Sequence, residues 1–143
     1  MFQRILIAWD GSPVALRAFD AAIDLARRYD AELVAISIAS APADAETAAD
    51  RKESAGTARR YLETTFADVR DRAERAGVGV EHQIIEASAP ARALADYTRE
   101  HGFDLIVCGH HHARRAGRLL LRGVSQSLLA ATDTPVLVIS EEN

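Results

Sequence analysis

Short apolar runs alternate along the chain with segments whose apolar residues recur at helical spacing. Four runs have the continuous apolar character of strands covered on both faces, and a fifth, more polar run alternates in residue type. The predicted strands are 4–9, 32–38, 78–85, 105–108 and 136–139. The predicted helices are 13–29, 57–76, 90–101 and 125–131. Strands that alternate with helices predict an α/β fold, a parallel sheet with helices on both faces.

Capping residues support several of these boundaries. Ser12 is a suitable N-cap and Pro13 suits the first helical position, while Gly77 and Gly102 are placed to end helices. The segment 39–55 contains no Leu, Ile, Val or aromatic residue, so it cannot contribute much to a core. It predicts either a loop or a loosely held lead-in to the second helix.

Composition narrows the class of protein. A chain of 143 residues is most simply one domain, 1–143. The net charge of −4 argues against nucleic acid as a partner, and one Cys allows no internal disulfide. The chain enters its first strand directly, with no signal-like apolar segment, and no apolar run approaches the ~20 residues of a membrane span. We therefore expect a cytoplasmic protein with no membrane partner.

A basic loop follows the fourth strand. It runs from 110 to 122, contains no acid, and leads from Gly109 to a helix that Gly123, Val124 and Ser125 open. Its charged or titratable residues are His110, His111, His112, Arg114, Arg115, Arg118 and Arg122. A glycine-bounded basic turn before a helix favours a small anion, because backbone N–H groups and the helix dipole face it. A solvated face or a surface for a protein partner explains the arginines equally well.

A second polar turn, Asp10-Gly11-Ser12, follows the first strand. If strands one and four are neighbours, both turns meet in one crevice at the carboxyl ends of the strands, which would suit a nucleotide with a divalent ion. Asp10 would then be a site residue, although it could merely shape the turn. The chain has neither the GxxxxGK[ST] nor the GxGxxG phosphate motif.

Three other residue types invite a chemical role. Consecutive residues rarely face one ion, so we predict solvated loop histidines at 110–112 and no metal site. Cys108 ends a buried strand and should be an inert thiol. Trp9 should be a core residue, with a narrowed ligand pocket as the alternative.

Four segments together resemble the universal stress protein family: 5–12, 88–90, 104–109 and 134–139. The resemblance covers nearly the whole chain. It implies a five-stranded parallel, doubly wound sheet with strand order 3-2-1-4-5. It also implies a role in stress survival, often through ATP binding, and commonly a homodimer.

The resemblance also implies a set of site residues. Asp10 corresponds to the family acid near the ribose and phosphates, and Ile38 to the position whose backbone contacts adenine. In the family motif G-x2-G-x9-G-[ST], Gly109 matches, but His112, Arg122 and Gly123 stand at the other three positions. Arg122 could hold a phosphate by charge instead. The cofactor-binding prediction is therefore Asp10, Ile38, Gly109, Arg122, Gly123, Val124 and Ser125, with no catalytic residue.

Two branches of the family are represented in this chain. The run 107–111, Val-Cys-Gly-His-His, is similar to the UspA-like branch, which the resemblance implies does not bind ATP, whereas Val124-Ser125 fits the binding branch. The first hypothesis is a UspA-like regulator or protective factor with weak or absent nucleotide binding. The alternatives are a sensor of ATP with Mg²⁺ that has a variant phosphate loop, and a slow nucleotide hydrolase with Asp10 in its site.

A homodimer is expected through the last strand. Val136, Leu137, Val138 and Ile139 would leave unpaired backbone groups at a sheet edge, and the same strand of a second copy would pair with them.

Overall fold

Five strands and four helices alternate in the computed structural model, which describes residues 1–40, 46–111 and 123–141. In chain order they are β1 (Arg4–Ala8), α1 (Pro13–Tyr29), β2 (Glu32–Ala39), α2 (Ala48–Arg75), β3 (Val80–Glu86), α3 (Pro90–His101), β4 (Leu105–His110), α4 (Val124–Ala131) and β5 (Val136–Ser140). Ser12 caps α1 through its side chain, and Gly102 ends α3 in the left-handed conformation, as predicted.

All strand pairs are parallel, and the sheet order is β3-β2-β1-β4-β5. The α/β prediction and the strand order 3-2-1-4-5 are therefore confirmed. β1 and β4 are neighbours, with Ile5 opposite Leu105 and Ile7 opposite Val107. The chain segments that follow these two strands consequently leave the sheet side by side.

Each face of the sheet has its own core. Odd-numbered residues of β1 such as Ile5 pack with Phe19 of α1 and Phe66 of α2, while even-numbered ones pack with α3 and α4. Trp9 is buried in the first core, with its ring 5.9 Å from the rings of Phe19 and Phe66. The core role predicted for Trp9 is confirmed.

α2 starts at Ala48, well before Thr57, where the sequence predicted the helix to begin. Thr47 caps it by accepting a hydrogen bond from the Asp50 N–H at 3.0 Å, and its buried residues begin only at Ala55. The helical lead-in, rather than the loop, is therefore right for residues 48–55. Alanines and charged residues have good helix propensity without needing burial, which is why an apolar pattern missed these turns.

β4 does not stop at Gly109, as the sequence predicted, but continues through His110. Gly109 pairs with Ile139 of β5 and His110 pairs with Ser140, so the neighbouring strand extends the ladder past the glycine. β3 starts at Val80 rather than at Val78, whose N–H instead donates to the Ala73 carbonyl at the end of α2. None of the helices that the structure describes is long and apolar enough to cross a membrane.

Candidate functional site

The candidate site lies where β1 and β4 end. Asp10 follows β1, and His111 follows β4 directly. The two side chains meet, with His111 Nε2 2.8 Å from Asp10 Oδ2. The convergence that the sequence predicted for these two turns is confirmed, but its contents differ from the prediction.

Both carboxylate oxygens of Asp10 are engaged by this chain. Oδ1 accepts from the Ser12 N–H at 2.9 Å and from the Ser12 hydroxyl at 2.5 Å, and Oδ2 faces His111. Ser12 in turn accepts from the Ala15 N–H at 3.1 Å and so caps α1. Only 2% of Asp10 is exposed. Asp10 therefore shapes the turn into α1 and is also one half of a buried pair.

His111 lies between two acids. Its Nε2 contacts Asp10, its Nδ1 lies 3.5 Å from Glu141 Oε1, and its side chain is 3% exposed. The hydrogen bond that His111 donates to Asp10 raises the pKa of His111, and the charges of Asp10 and Glu141 add to this while burial opposes it. The prediction of a solvated loop histidine is wrong for His111. The extension of β4 directs its side chain inward.

His110 faces the opposite way. Its Nδ1 is 2.9 Å from the hydroxyl of Ser125, which lies in the first turn of α4. Successive strand residues point to opposite sides of a sheet, so His110 and His111 cannot converge on one ion. No group of three or more metal-ligating side chains occurs among the described residues. Arg122, His112 and most of the basic loop lie outside those residues.

Gly109 is required by packing. A Cβ at this position would lie 2.9 Å from Val14 Cγ1 and 3.1 Å from the Val14 carbonyl carbon, so α1 approaches the end of β4 closely. Cys108, the preceding residue, is buried, and burial raises the pKa of its thiol to about 11. The prediction of an inert thiol agrees with this environment.

The other predicted site residues that the structure describes lie on the α3–α4 face. Gly123 precedes α4 in the left-handed conformation, and both Val124 and Ile38 are buried in the core of that face. A cavity of about 470 Å³ lies between the starts of α3 and α4. It is lined by Ala89, Pro90, Ala91, Arg92, Gly123, Val124, Ser127 and Ala131.

The group of Ser12, His111 and Asp10 is not a hydrolase triad. A triad places the acid and the hydroxyl on opposite nitrogens of the imidazole. Here Ser12 Oγ lies 3.4 Å from Nε2, the same nitrogen that contacts Asp10. Ser12 is also 4% exposed and occupied as a helix cap. The arrangement holds three elements together rather than activating a nucleophile.

Sequence reasoning missed His111 as a partner of Asp10, and it missed Glu141 altogether. Strand alternation past Gly109 could have indicated that adjacent histidines point to opposite faces, but it required knowing that β4 continues. Glu141 had no local signal, because its contact with His111 depends on the pairing of β4 with β5.

Fold and site together define a doubly wound α/β domain whose crevice lies at the ends of β1 and β4. The model of the universal stress protein family matches residues 1–140. The chain belongs to the universal stress protein family.

Individual relatives agree with this assignment. Universal stress protein YxiE of Bacillus subtilis is 29% identical, over 97% of this chain and 99% of that protein. A crystal structure of a family protein from Burkholderia pseudomallei has a TM-score of 0.75 at 27% identity, covering 96% of each chain. A universal stress protein solved in complex with cAMP has a TM-score of 0.70 at 26% identity, covering 96% of this chain and 97% of that one.

Proposed function

We propose that this chain is a stress-response regulator or protective factor that acts without tight ATP binding and without nucleotide turnover. The observation that carries the proposal is the pairing of Asp10 with His111 inside the crevice. The family acid that would meet a nucleotide is 2% exposed and has donors on both oxygens.

The free energy of separating Asp10 from His111 distinguishes this hypothesis from that of an ATP sensor. A nucleotide that used Asp10 would first have to separate it from His111. Breaking a buried ion pair costs about 3–5 kcal/mol. Since each 1.4 kcal/mol is a factor of ten, affinity would fall roughly 100- to 4,000-fold. That loss would turn a dissociation constant of about 1 μM into one of about 0.1–4 mM, unless new contacts replaced the pair.

A second candidate is binding of a nucleoside monophosphate on the α3–α4 face. The cavity of about 470 Å³ is within the usual size range of ligand pockets. Arg92 supplies a cation in its lining, Gly123 and the first turn of α4 supply backbone donors, and a relative has been solved with cAMP. This route leaves the Asp10–His111 pair intact, so it does not carry the energetic cost described above.

Calorimetric titration of the nucleotide-stripped protein tests both candidates. We expect no saturable heat with ATP and Mg²⁺ at neutral pH, and no phosphate release in a turnover assay. Micromolar ATP binding that Asp10→Ala abolishes would refute the main proposal. Saturable binding of cAMP or AMP that Arg92→Ala weakens and Asp10→Ala leaves unchanged would support the second candidate instead.

Partners and location complete the proposal. We place the protein in the cytoplasm as a homodimer formed by β5, where Val136, Val138 and Ile139 are each only partly covered. The basic loop is the proposed contact for a protein partner. Gel filtration with light scattering tests the dimer, and a monomer at every concentration would refute it.

A further inference from the structure

Three side chains form a row of contacts along the carboxyl ends of β1, β4 and β5. Asp10 follows β1, His111 follows β4, and Glu141 follows β5. His111 touches both acids, with Nε2 2.8 Å from Asp10 Oδ2 and Nδ1 3.5 Å from Glu141 Oε1. One imidazole therefore connects the crevice to the residue that follows an edge strand.

Glu141 depends on this contact. Its side chain is 12% exposed, and its Oε2 atom is buried with no hydrogen-bond partner among the described residues. A buried carboxylate is costly unless it is paired. His111 is the cation opposite it. Arg17 of α1 donates to the carbonyl of the neighbouring Ser140, which places a second cation near this end of β5.

We propose that His111 is a proton-controlled clamp between the crevice and edge strand β5. With two protons it holds Asp10 and Glu141 at once, and with one proton it keeps Asp10 and releases Glu141. The clamp deepens the proposed function, on which it rests, because the contact that occupies Asp10 also secures the end of β5.

Proton counting gives the direction of the release. An imidazolium donates from both nitrogens, whereas a neutral imidazole donates from one and presents a lone pair on the other. The short contact to Asp10 retains the proton on Nε2. The lone pair of Nδ1 then faces the carboxylate of Glu141, which has lost its cation and moves toward water.

The release of Glu141 affects β5 because Glu141 directly follows Ser140, the last paired residue of that strand. Ser140 pairs with His110, the residue directly before His111, and Ile139 pairs with Gly109, two residues before it. The hydrogen bond to Asp10, together with the charges of Asp10 and Glu141, raises the pKa of His111 above its ordinary value, while burial opposes this. The clamp is therefore closed below the midpoint of His111, which lies above its ordinary value of about 6.5, and opens on the alkaline side of that midpoint.

Nitrogen-15 NMR of the full chain tests the clamp without any ligand. Long-range ring spectra follow Nδ1 and Nε2 of His111 from acidic to alkaline pH, with His111→Gln to assign the signals. We expect Nδ1 to lose its proton at a midpoint above about 6.5. The backbone amides of Ser140 and Glu141 should shift at the same midpoint.

Two variants sharpen the test. Glu141→Gln should lower the midpoint of His111, whereas Glu86→Gln, at the exposed end of the other edge strand, should leave it unchanged. A midpoint unaffected by Glu141→Gln, or Ser140 and Glu141 amides that ignore the titration, would overturn the clamp. If Glu141→Gln fails to fold, coincident midpoints in the unmodified protein still decide the question.

Failure of the clamp is distinguishable from failure of the proposed function. Tight ATP binding at neutral pH would contradict the proposed function while leaving intact the midpoint that His111 shares with the Ser140 and Glu141 amides. A His111 that titrates without any response at β5 would remove the clamp while leaving Asp10 paired.

Discussion

At the residue scale, the end of β4 is determined by close packing as much as by polar contacts. Gly109 allows α1 to approach, since a Cβ there would overlap Val14, and the next two residues bond in opposite directions to Ser125 and Asp10. A glycine that a family motif would assign to phosphate contact therefore has a separate structural reason in this chain.

Gly109→Ala should destabilise the protein by about 1–3 kcal/mol, the usual effect of overpacking a core. Val14 is itself buried, so Val14→Ala alone should destabilise, but it should cost less when Gly109→Ala is present, because it removes the methyl groups that the new Cβ meets. Gly56→Ala is the matched control. It lies in α2, where a Cβ has room, and should stabilise by up to about 1 kcal/mol. Urea unfolding measures all of these variants, and equal stability of Gly109→Ala and the unmodified protein would contradict the packing role.

The histidines show where prediction from sequence stops at this scale. Ser12 as N-cap and Cys108 as a buried thiol follow from local chemistry, and the structure agrees. The burial of His111 does not, because it requires β4 to continue past Gly109. That extension comes from pairing with β5, which local patterns do not encode.

At the element scale, the two edge strands β3 and β5 are less buried than the strands between them, and β5 is the more apolar of the two. β1, in the middle of the sheet, is almost fully buried, whereas each residue of β5 is partly or largely exposed. Leu137 is 36% exposed, and its strand is the edge strand of the sheet on the β4 side. An apolar edge of this kind favours pairing with a second copy.

Leu137→Lys should therefore convert a dimer into a monomer, because edge lysines oppose strand pairing. Leu129→Lys on α4 is the control, since Leu129 is 57% exposed and away from the strand edge. Light scattering after gel filtration reads the mass. If Leu129→Lys dissociates the dimer and Leu137→Lys does not, the interface lies elsewhere.

Element type was predictable where burial and periodicity agree, as in β1 and α1. The predicted boundaries were wrong where burial and apolar periodicity disagree. The first turns of α2 have helix propensity and a Thr47 cap without an apolar stripe, so the pattern placed the helix too late. Val78 is apolar but belongs to the end of α2 through its bond to Ala73, so the pattern placed β3 too early.

At the scale of the whole molecule, half-buried His82 and buried His111 set opposite pH dependences. His82 stacks on Phe66 at 4.3 Å and contacts the Ser37 hydroxyl at 2.8 Å. Burial, aided by the charge of Arg70, lowers its pKa to about 4. His111, between two acids, has a raised pKa.

The two shifts predict that the contribution of these histidines to stability is greatest near pH 6.5, the ordinary histidine value. Below pH 6.5, His82 of the unfolded chain takes up a proton, whereas folded His82 stays neutral down to about pH 4. Stability therefore falls as pH falls. Above pH 6.5 the unfolded chain loses the proton that folded His111 keeps, so stability falls as pH rises.

Urea unfolding across pH checks this directly. His111→Gln should flatten the alkaline decline, and His82→Gln should reduce the acid decline. An alkaline decline identical in His111→Gln and the unmodified protein would show that His111 is not held by its two acids.

The strand order and crevice position were predictable through the family resemblance, because four separated segments fit one topology. Whether the crevice is open was not predictable, because that depends on side chains from three strand ends meeting in space. The family resemblance therefore locates the candidate site, and the proposed function holds that the Asp10–His111 contact limits what the crevice can bind.

The most direct test of that central claim observes His111 while ATP and Mg²⁺ are added. The ring nitrogens of His111 are followed by long-range nitrogen-15 NMR at neutral pH, up to millimolar nucleotide. The paired crevice predicts unchanged Nδ1 and Nε2 signals, with the proton on Nε2 retained against Asp10. A saturable shift of both signals, lost in Asp10→Asn, would show that nucleotide separates the pair and would contradict the account.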